Sequence, residues 1–493
     1  MKRLFTFLTI AIAALTVQAT DYTDKLLVVV DGSESQQDAT ISVVEEGGRY
    51  NLTLKNFLLG GDTSNGIGNV EIKGIEPETS DGVVLLKAAR NVTITEGDLS
   101  DVSMWMGPYL GEIPVDLTAV MNNGKLYALI NIHLGEQVIE ARFGSTYIPN
   151  GGFENWHTST GNYVEPNAWH SFESASGSSL LVGLAGHHIE KSKKGRNNTM
   201  CALIKSTGYG SIVANGTMTT GRLNAGDMSP ADPANHAYLD MNKTDTDGNG
   251  DPFYVTLNCK PDSLVLWVNF KQGTPNSEHP YATVSAIITD GSYYQDPENK
   301  SYTNYLAKAK NNTIAADDQW QRISIPFDYD HGYNVEPKAI LVTISTNADA
   351  GQGSVGDEVL VDDLTLVYNS KLSSLNVPGF KANVYDYEAE GMNFNSIEAT
   401  ANGKGCHVLK TLEQREDGQY VVIKVYSADL RSNSTYSVKI SSNGSTSIIS
   451  VPTTTDASAD TYYNIDGTQT DGTQKGRVVI VRKADGSVKK VIR

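Results

Sequence analysis

Residues 41–54 read ISVVEEGGRYNLTL and contain two strand-like segments around a turn. Apolar and polar residues alternate in Tyr50-Asn51-Leu52-Thr53-Leu54, and Glu46-Gly47-Gly48 separates this segment from Ile41-Ser42-Val43-Val44. A period of two is typical of a strand with one buried face, and glycine supplies the positive φ angles that tight turns need. The stretch therefore predicts an antiparallel hairpin.

The same pattern repeats through residues 22–143. Asp31-Gly32 follows the run Leu26-Leu27-Val28-Val29-Val30, and Asn122-Asn123-Gly124 precedes a strand that begins at Leu126. About eight short strands in about 120 residues, with a turn signal every 8 to 12 residues, favour a small up-and-down barrel.

Residues 22–143 resemble the calycin-like, lipocalin-related barrel found at the front of secreted proteins of anaerobic bacteria. The segments 51–54 and 122–126 carry this resemblance, together with the strand spacing. The resemblance implies a β-barrel that holds a small apolar ligand or acts as an interaction module.

Composition limits the possible classes of protein. The chain has 493 residues, enough for about three domains at roughly 150 residues each. Its net charge of -18 argues against a nucleic-acid partner, because binding to phosphates needs a basic surface. The 45 glycines and 24 tyrosines favour strands and turns over helices, so the expected fold class is all-β.

Three cysteines, Cys201, Cys259 and Cys406, are too few for a disulfide framework or a cysteine-rich zinc protein. Cys201 and Cys259 fall in one predicted domain and could pair. We favour the alternative, three buried free thiols.

The first 19 residues have the features of a secretory signal peptide. Lys2 and Arg3 precede an apolar run from Leu4 to Leu15, and Val17-Gln18-Ala19 fits a cleavage site after Ala19. The run is too short for a membrane anchor, and no later segment reaches the 18 apolar residues of a transmembrane helix. We therefore expect export to the periplasm, cell surface or extracellular space, without a lipid anchor, since the first cysteine is Cys201.

Residues 144–370 form the largest predicted domain. It opens with Asn150-Gly151-Gly152-Phe153-Glu154-Asn155-Trp156 and closes with Val361-Asp362-Asp363-Leu364-Thr365-Leu366-Val367-Tyr368. Strand-like runs lie between these motifs, at 263–270, 281–289, 321–327 and 339–345. The two end motifs resemble the carbohydrate-metabolism domain of secreted bacterial proteins, which implies a jelly-roll β-sandwich similar to carbohydrate-binding modules.

The C-terminal part is predicted to contain three pieces. Residues 371–452 alternate in the manner of a small immunoglobulin-like sandwich, and residues 453–461 have the composition of a linker. Residues 462–493 carry seven Lys or Arg against three Asp, and Asp485-Gly486 indicates a hairpin. This basic tail is either a sorting tail, which it resembles, or a hairpin that packs on the acidic body.

Two groups of oxygen-bearing side chains could bind calcium. In a jelly roll the first and last strands are neighbours, so Glu154 is expected to lie near Asp362 and Asp363. The alternative is that these carboxylates accept hydrogen bonds from loop amides. The second group has oxygens at alternate positions of one loop, a spacing that suits calcium; its members are Asp245, Asp247, Asn249 and Asp251. It is not an EF-hand, because position 256 is Thr, and an acidic solvated turn is the alternative.

Trp156 and Trp169 lie on the opening segment of this domain and could stack on sugar rings, whose C–H faces pack against aromatic rings. Core packing is the alternative for both, and it is the expectation for Trp267, which lies in the apolar run 264–268.

The sequence favours a secreted or cell-surface protein that binds a glycan or polysaccharide through its central domain. One alternative is a glycoside hydrolase, although no carboxylate pair can be singled out among 57 acidic residues. A second alternative is a structural, adhesin-like surface protein with sandwich spacers. The chain has no G-x-S-x-G, P-loop, H-E-x-x-H or C-x-x-C motif, so no catalytic residue is assigned.

Overall fold

The computed structural model describes residues 19–440, 461–463, 469–470, 478–483 and 488–492. The chain divides into two compact units, Met1–Ser441 and Ser442–Arg493. Except for Ala19 and Thr461, the predicted signal peptide and the predicted linker lie outside the described residues.

Nine strands of the first unit form one antiparallel sheet that is nearly closed into a barrel. They are β1 (Ala19–Val30), β2 (Ser33–Glu46), β3 (Arg49–Leu58), β4 (Gly66–Ile75), β5 (Pro77–Ser80), β6 (Val83–Thr93), β7 (Glu112–Asn122), β8 (Lys125–Leu134) and β9 (Gln137–Phe143). Their order is β4-β3-β2-β1-β9-β8-β7-β6-β5. A bridge from Asn69 to Thr95 narrows the remaining gap.

The hairpin read from residues 41–54 is confirmed. Ile41 pairs with Leu54 across β2 and β3, and both side chains are buried in the barrel. Gly47 and Gly48 form the two-residue turn, with φ angles of 59° and 77° that side chains disfavour. The apolar positions of the pattern therefore fill the inside of the barrel.

The central part of the unit contains twenty strands and one α-helix. The strands are β10 (Trp156–Thr158), β11 (Val164–Pro166), β12 (Ser176–Gly177), β13 (Ile189–Ser192), β14 (Cys201–Lys205), β15 (Thr207–Tyr209), β16 (Ile212–Ala214), β17 (Thr217–Thr219), β18 (Arg222–Ala225), β19 (His236–Tyr238), β20 (Asp240–Thr244), β21 (Pro252–Phe253), β22 (Val255–Thr256), β23 (Ser263–Lys271), β24 (Tyr281–Thr289), β25 (Gln295–Asp296), β26 (Tyr305–Ala315), β27 (Gln321–Pro326), β28 (Ala339–Ser345) and β29 (Glu358–Val367). The helix is α1 (Ser179–Ala185).

Two sheets of this part pack face to face. One has the order β13-β14-β29-β23-β27, and the other has the order β17-β28-β24-β26 with β22 beside β28. Alternate residues of β23 and β24 point into the space between the sheets; Leu264, Leu266, Val284 and Ala286 are among those fully buried there. This interior is the main core of the molecule.

A third layer covers part of the outer face of the β17-β28-β24-β26 sheet. It contains the small sheet β12-β18-β19-β25. Leu223 and Leu239 from this layer share a second apolar cluster with Ile287 of β24 and Leu341 of β28. The outer face of one sheet is therefore covered at one end.

A smaller sandwich follows, with strands β30 (Leu372–Leu375), β31 (Asp386–Ala389), β32 (Ala399–Ala401), β33 (His407–Arg415), β34 (Gly418–Tyr426) and β35 (Asn433–Ile440). Its sheets have the orders β30-β32 and β31-β35-β34-β33. Tyr436 fills the core, and its hydroxyl donates to the Ala382 carbonyl at 2.8 Å.

The second unit contains β36 (Thr461–Tyr463), β37 (Gln469–Thr470), β38 (Val478–Arg482) and β39 (Val488–Ile492), in the order β37-β36-β38-β39. β38 and β39 pair antiparallel, which confirms the predicted hairpin. Its predicted turn, Asp485-Gly486, lies outside the described residues.

The all-β class with a barrel, a jelly-roll sandwich and a smaller sandwich is confirmed. In the described part of the chain α1 is the only α-helix; the short 3-10 turns are Leu59–Gly61, Thr63–Asn65, Gly107–Tyr109, Phe172–Ser174, Arg196–Asn198 and Phe394–Ser396. The described residues contain no helix with the length and apolar character needed to cross a bilayer. The three cysteines are unpaired, as expected, although Cys406 is only half-buried.

Candidate functional site

A groove lies on the uncovered end of the β17-β28-β24-β26 sheet. Because side chains alternate along a strand, the residues between the core positions of β24 and β28 point outward. At this end those residues are Thr283 and Ser285 of β24, and Thr343 and Ser345 of β28. The floor of the groove is therefore a row of hydroxyl groups.

The wall opposite the hydroxyl floor of the groove is mostly apolar. It is formed by the turn before α1, by α1 itself, by the end of β15 and by the loop after β18, which contribute Phe172, Leu181, Leu184, Tyr209, Met228 and Pro230. Tyr209 and Met228 are exposed at 56% and 44%. The groove has a volume of about 260 Å³, close to the lower limit of ligand-binding clefts.

Hydrogen bonds fix several polar side chains of the groove in place. Ser285 Oγ donates to Asp296 Oδ2 at 2.5 Å, and Thr283 Oγ1 donates to Asn312 Oδ1 at 2.7 Å. Lys310 is exposed on the neighbouring strand and makes no ion pair with any described residue. The groove therefore offers hydroxyl, amide, carboxylate and ammonium groups along one side.

His236 borders the groove and is held between two partners. Its Nδ1 is 2.9 Å from the Pro233 carbonyl, and its Nε2 is 3.2 Å from the Tyr293 hydroxyl. Burial lowers the pKa of His236. Because the Pro233 carbonyl can only accept, we assign the proton of the neutral ring to Nδ1.

The two predicted stacking tryptophans lie outside this groove. Trp169 is completely buried against Phe153, and its Nε1 donates to the Pro149 carbonyl at 3.2 Å. Trp156 is half-buried, and the Lys191 ammonium lies 6.0 Å from its ring centre. Of these two tryptophans, only Trp156 has part of its side chain exposed, and Trp169 packs in the core.

The structure brings the opening and closing motifs together. The Leu364 amide donates to the Gly151 carbonyl at 2.8 Å. Asp362 is buried, and burial raises its pKa to about 6, with Asp363 and Glu154 adding to the rise. The three predicted calcium ligands of this group therefore lie close enough to interact.

These carboxylates have hydrogen-bond donors of their own. Glu154 Oε1 accepts from the Met200 amide at 3.0 Å, and Asp362 Oδ2 accepts from the Arg196 amide at 2.7 Å. Asp363 Oδ2 pairs with the Arg196 guanidinium at 2.5 Å. Loop amides and one arginine therefore satisfy the group, and calcium binding here stays a prediction.

The prediction that Trp267 fills the core is wrong, and Arg196 covers its ring instead. Trp267 was expected to fill the core, but it is half-buried on the outer face of β23, and the Arg196 guanidinium lies 3.7 Å from its ring centre. The alternation of β23 places Leu266 and Val268 inside, which turns Trp267 outward.

Hydrogen bonds occupy several polar atoms of the predicted calcium loop, and calcium binding there stays a prediction. Asn249 Nδ2 donates to Asp251 Oδ2 at 2.7 Å, and Asp251 Oδ2 also accepts from the Ala168 amide at 2.5 Å. Asp247 contributes its backbone carbonyl to Thr160. Asp245 instead lies within 4.8 Å of ligand atoms of His157 and Glu165, which the sequence analysis did not single out as a metal site.

The interior of the barrel is packed with apolar side chains. Leu26, Ile41, Leu52, Leu54 and Ile130 are all fully buried there. A small apolar ligand in the barrel stays a prediction.

The groove is not predictable from the sequence motifs. The signal was present in β24, YATVSAIIT, where Thr283 and Ser285 occupy the non-core positions of an otherwise apolar strand. A sequence cannot tell whether such positions face solvent, a covering layer or a ligand, because that depends on the distant segments that fold over them.

Comparison with known proteins assigns one region to a family. Residues 19–146 match the calycin-like β-barrel domain, which agrees with the barrel described above. No curated protein matches the chain.

Solved structures with similarity include a "putative glycoside hydrolase" from Bacteroides vulgatus, with 18% identity, a TM-score of 0.31, and coverage of 51% of this chain and 94% of that one. A "putative glycoside hydrolase" from Bacteroides thetaiotaomicron has 12% identity, a TM-score of 0.33, and coverage of 73% and 99%. A cyclase from Fischerella has 15% identity, a TM-score of 0.21, and coverage of 45% and 94%. Scores this low carry no inference about the activity of this chain.

Proposed function

We propose that the central sandwich is a glycan-binding module and that the groove on the β17-β28-β24-β26 sheet is its binding site. The observation that supports this is the groove's two-sided chemistry, a row of hydroxyl, amide and charged groups opposite an apolar and aromatic wall. A sugar ring has the complementary structure, with hydroxyl groups around its edge and C–H groups on its faces.

The fixed side chains favour binding by lowering its entropic cost. Thr283 and Ser285 are already held by hydrogen bonds to Asn312 and Asp296, so they lose little freedom when a ligand arrives. Tyr209 presents an exposed ring at the edge of the groove and is our candidate for stacking.

A glycan ligand is consistent with the expected export of the chain, because an exported protein would encounter polysaccharides outside the cell. Periplasmic, surface or extracellular location is part of this proposal. The proposed partner is a glycan or polysaccharide, captured without cleavage.

The experiment is a glycan array on the full chain, followed by titration calorimetry with the strongest hit. Tyr209→Ala should weaken binding about tenfold, since an aromatic contact contributes roughly 1 kcal/mol beyond the buried area. Tyr109→Ala is the matched control, because Tyr109 is an exposed tyrosine of the barrel, at 74%.

Lys310→Ala tests the polar side in the same way, with Lys271→Ala as its control. Lys271 is also exposed and belongs to β23, in the opposite sheet. A hit whose affinity is unchanged in both groove variants would contradict the proposed site.

The hydrolase alternative keeps one observation in its favour, since two carboxylates, Asp227 and Asp296, line the groove. Release of reducing sugar from the bound glycan, abolished by Asp296→Asn, would replace capture with hydrolysis. A chain that retains no glycan at all would favour the adhesin-like alternative.

A further inference from the structure

Three ionisable side chains converge beside the Phe172–Ser174 turn. His157 of β10 and Glu165 of β11 are direct cross-strand partners, so their side chains share one face of the hairpin. The turn of this hairpin is tied to the loop that carries Asp245, because the Thr160 amide donates to the Asp247 carbonyl at 2.8 Å. Ligand atoms of the three side chains lie within 4.8 Å of one another.

Two of the converging atoms are buried and have no hydrogen-bond partner among the described residues. They are His157 Nε2 and Asp245 Oδ2, which lie 3.6 Å apart. The side chains are only 9% and 5% exposed, and Glu165 is 1% exposed. The two atoms can form an ion pair when His157 is protonated, but neither has a hydrogen bond. Because buried polar atoms are nearly always satisfied, the pair indicates a ligand.

Neighbouring residues form hydrogen bonds with other polar atoms of these side chains, as they do around metal ligands. His157 Nδ1 lies 3.2 Å from Asn167 Oδ1, an acceptor, so we assign the proton to Nδ1 and the free lone pair to Nε2. Glu165 Oε1 accepts from the amide and hydroxyl of Ser171 at 2.6 and 2.5 Å. Such outer partners fix the orientation of metal ligands.

Gly248 lets the loop backbone pass close to Asp245 Oδ2 and His157 Nε2, which a side chain would prevent. A methyl group on this glycine would lie 2.0 Å from Asp245 Oδ2 and 2.7 Å from His157 Nε2. Zinc binds such atoms at about 2.0–2.2 Å, and two tetrahedral ligands at that distance are about 3.4 Å apart. The observed separation of 3.6 Å is close to this value.

The charges also favour a divalent cation. Glu165 and Asp245 are both buried, at 1% and 4% exposed, and their oxygens lie within 4.8 Å of each other. Two buried carboxylates in contact repel one another unless a cation neutralises them. Imidazole nitrogen is a good ligand for zinc and similar metals, whereas calcium and magnesium prefer oxygen alone.

We propose that His157, Glu165 and Asp245 form a binding site for one divalent transition-metal ion of the zinc class. The ion joins the β10–β11 hairpin to the loop 245–251, which are far apart in sequence. Three protein ligands leave the fourth tetrahedral position to water, and the site is separate from the proposed glycan groove.

The test uses the full chain without an affinity tag, dialysed against chelator and then loaded with Zn²⁺. We expect close to one zinc per chain by elemental mass spectrometry, and a higher unfolding midpoint in the zinc-loaded protein. His157→Gln and Asp245→Asn should each lower zinc affinity at least tenfold. Glu154→Gln is the matched control, because Glu154 belongs to the acidic group that loop amides already satisfy.

Two further measurements keep the proposal testable if a variant fails to fold. Co²⁺ added to the unaltered chain should give the visible absorption bands of a tetrahedral site, and Zn²⁺ should remove them. Asn167→Ala, which keeps all three ligands, should weaken zinc binding about 10- to 100-fold. Absence of stoichiometric zinc, selective binding of calcium, or equal zinc binding in His157→Gln and Glu154→Gln would each overturn the proposal.

Discussion

Three neighbouring cross-strand pairs lie on one face of the β17-β28-β24-β26 sheet. One pair is packed among apolar side chains, and the other two line the groove. Ile287 pairs with Leu341, and both side chains are buried beneath the third layer. Ser285 pairs with Thr343, and Thr283 pairs with Ser345, on the open floor of the groove. We call the first pair the covered half and the other two pairs the open half.

The comparison shows that one strand serves two purposes within a few residues. Side chains two positions apart on β24 change from apolar to hydroxyl where the covering layer ends. Burial of apolar area stabilises the covered half, whereas the open half lines the groove with buried or half-buried hydroxyl groups that contribute less to stability. Stability and ligand binding should therefore be separable by substitution along a single strand.

Leu341→Ala should produce the largest effect, a loss of about 2–4 kcal/mol in the free energy of unfolding, because it leaves a cavity under the third layer. Thr343→Ala, two residues along the same strand, should cost less than about 1 kcal/mol. Chemical denaturation of both variants measures the difference. Equal losses would show that the two halves are not distinct.

Acid should weaken the wall of the open half. His188 is fully buried next to Phe172, its Nε2 donates to the last carbonyl of α1 at Ala185, and burial lowers its pKa to about 4. A buried histidine with a lowered pKa must stay neutral in the folded chain. Its contribution to the free energy of unfolding is complete above the unfolded pKa near 6.5 and is lost as the pH falls toward 4.

The loss attributable to His188 should be roughly 2–3 kcal/mol between pH 7 and pH 4.5, measured as a steeper fall of unfolding free energy with acid. His188→Gln, whose amide can also donate to Ala185, should flatten that fall. An identical pH dependence in the variant would contradict the assignment of this effect to His188. The fall would then come from other buried histidines, because burial also lowers the pKa values of His170 and His407 to about 4.

Ser285→Ala should have a smaller effect, about 1 kcal/mol, because it removes the hydroxyl that donates to Asp296. Ser285→Ala should lower the free energy of unfolding less than Leu341→Ala does. It should lower glycan affinity more than Leu341→Ala does. Thermal unfolding and calorimetric titration of the two variants give both numbers. A Ser285→Ala protein with unchanged affinity would remove this pair from the binding site.

Much of the fold could be predicted from the sequence because it depends on local patterns. Alternation and turn signals in residues 41–54 identify a hairpin, and the strand-like runs at 263–270, 281–289 and 339–345 correspond to β23, β24 and β28. Period-two patterning reports which residues share a face, and a hairpin joins strands that are adjacent in sequence.

The candidate sites were harder to predict because they depend on long-range packing. The groove needs α1, β15 and the loop after β18 to fold over the outer face of β24. The cluster at His157 needs Asp245, 88 residues further along the chain. Trp267 shows the same limit, since its apolar neighbours suggested the core while the alternation of β23 turned it toward Arg196.

The central claim is that the covered half holds the fold while the open half binds glycan, and one paired measurement tests it most directly. The glycan affinity and the unfolding free energy of Thr343→Val and Leu341→Ala are compared with those of the unaltered chain. We predict that Thr343→Val lowers affinity about five- to tenfold with stability nearly unchanged, as expected for one lost hydrogen bond, and that Leu341→Ala does the reverse. Unchanged affinity in Thr343→Val, or a loss of affinity in both variants that follows their stability, would contradict the claim.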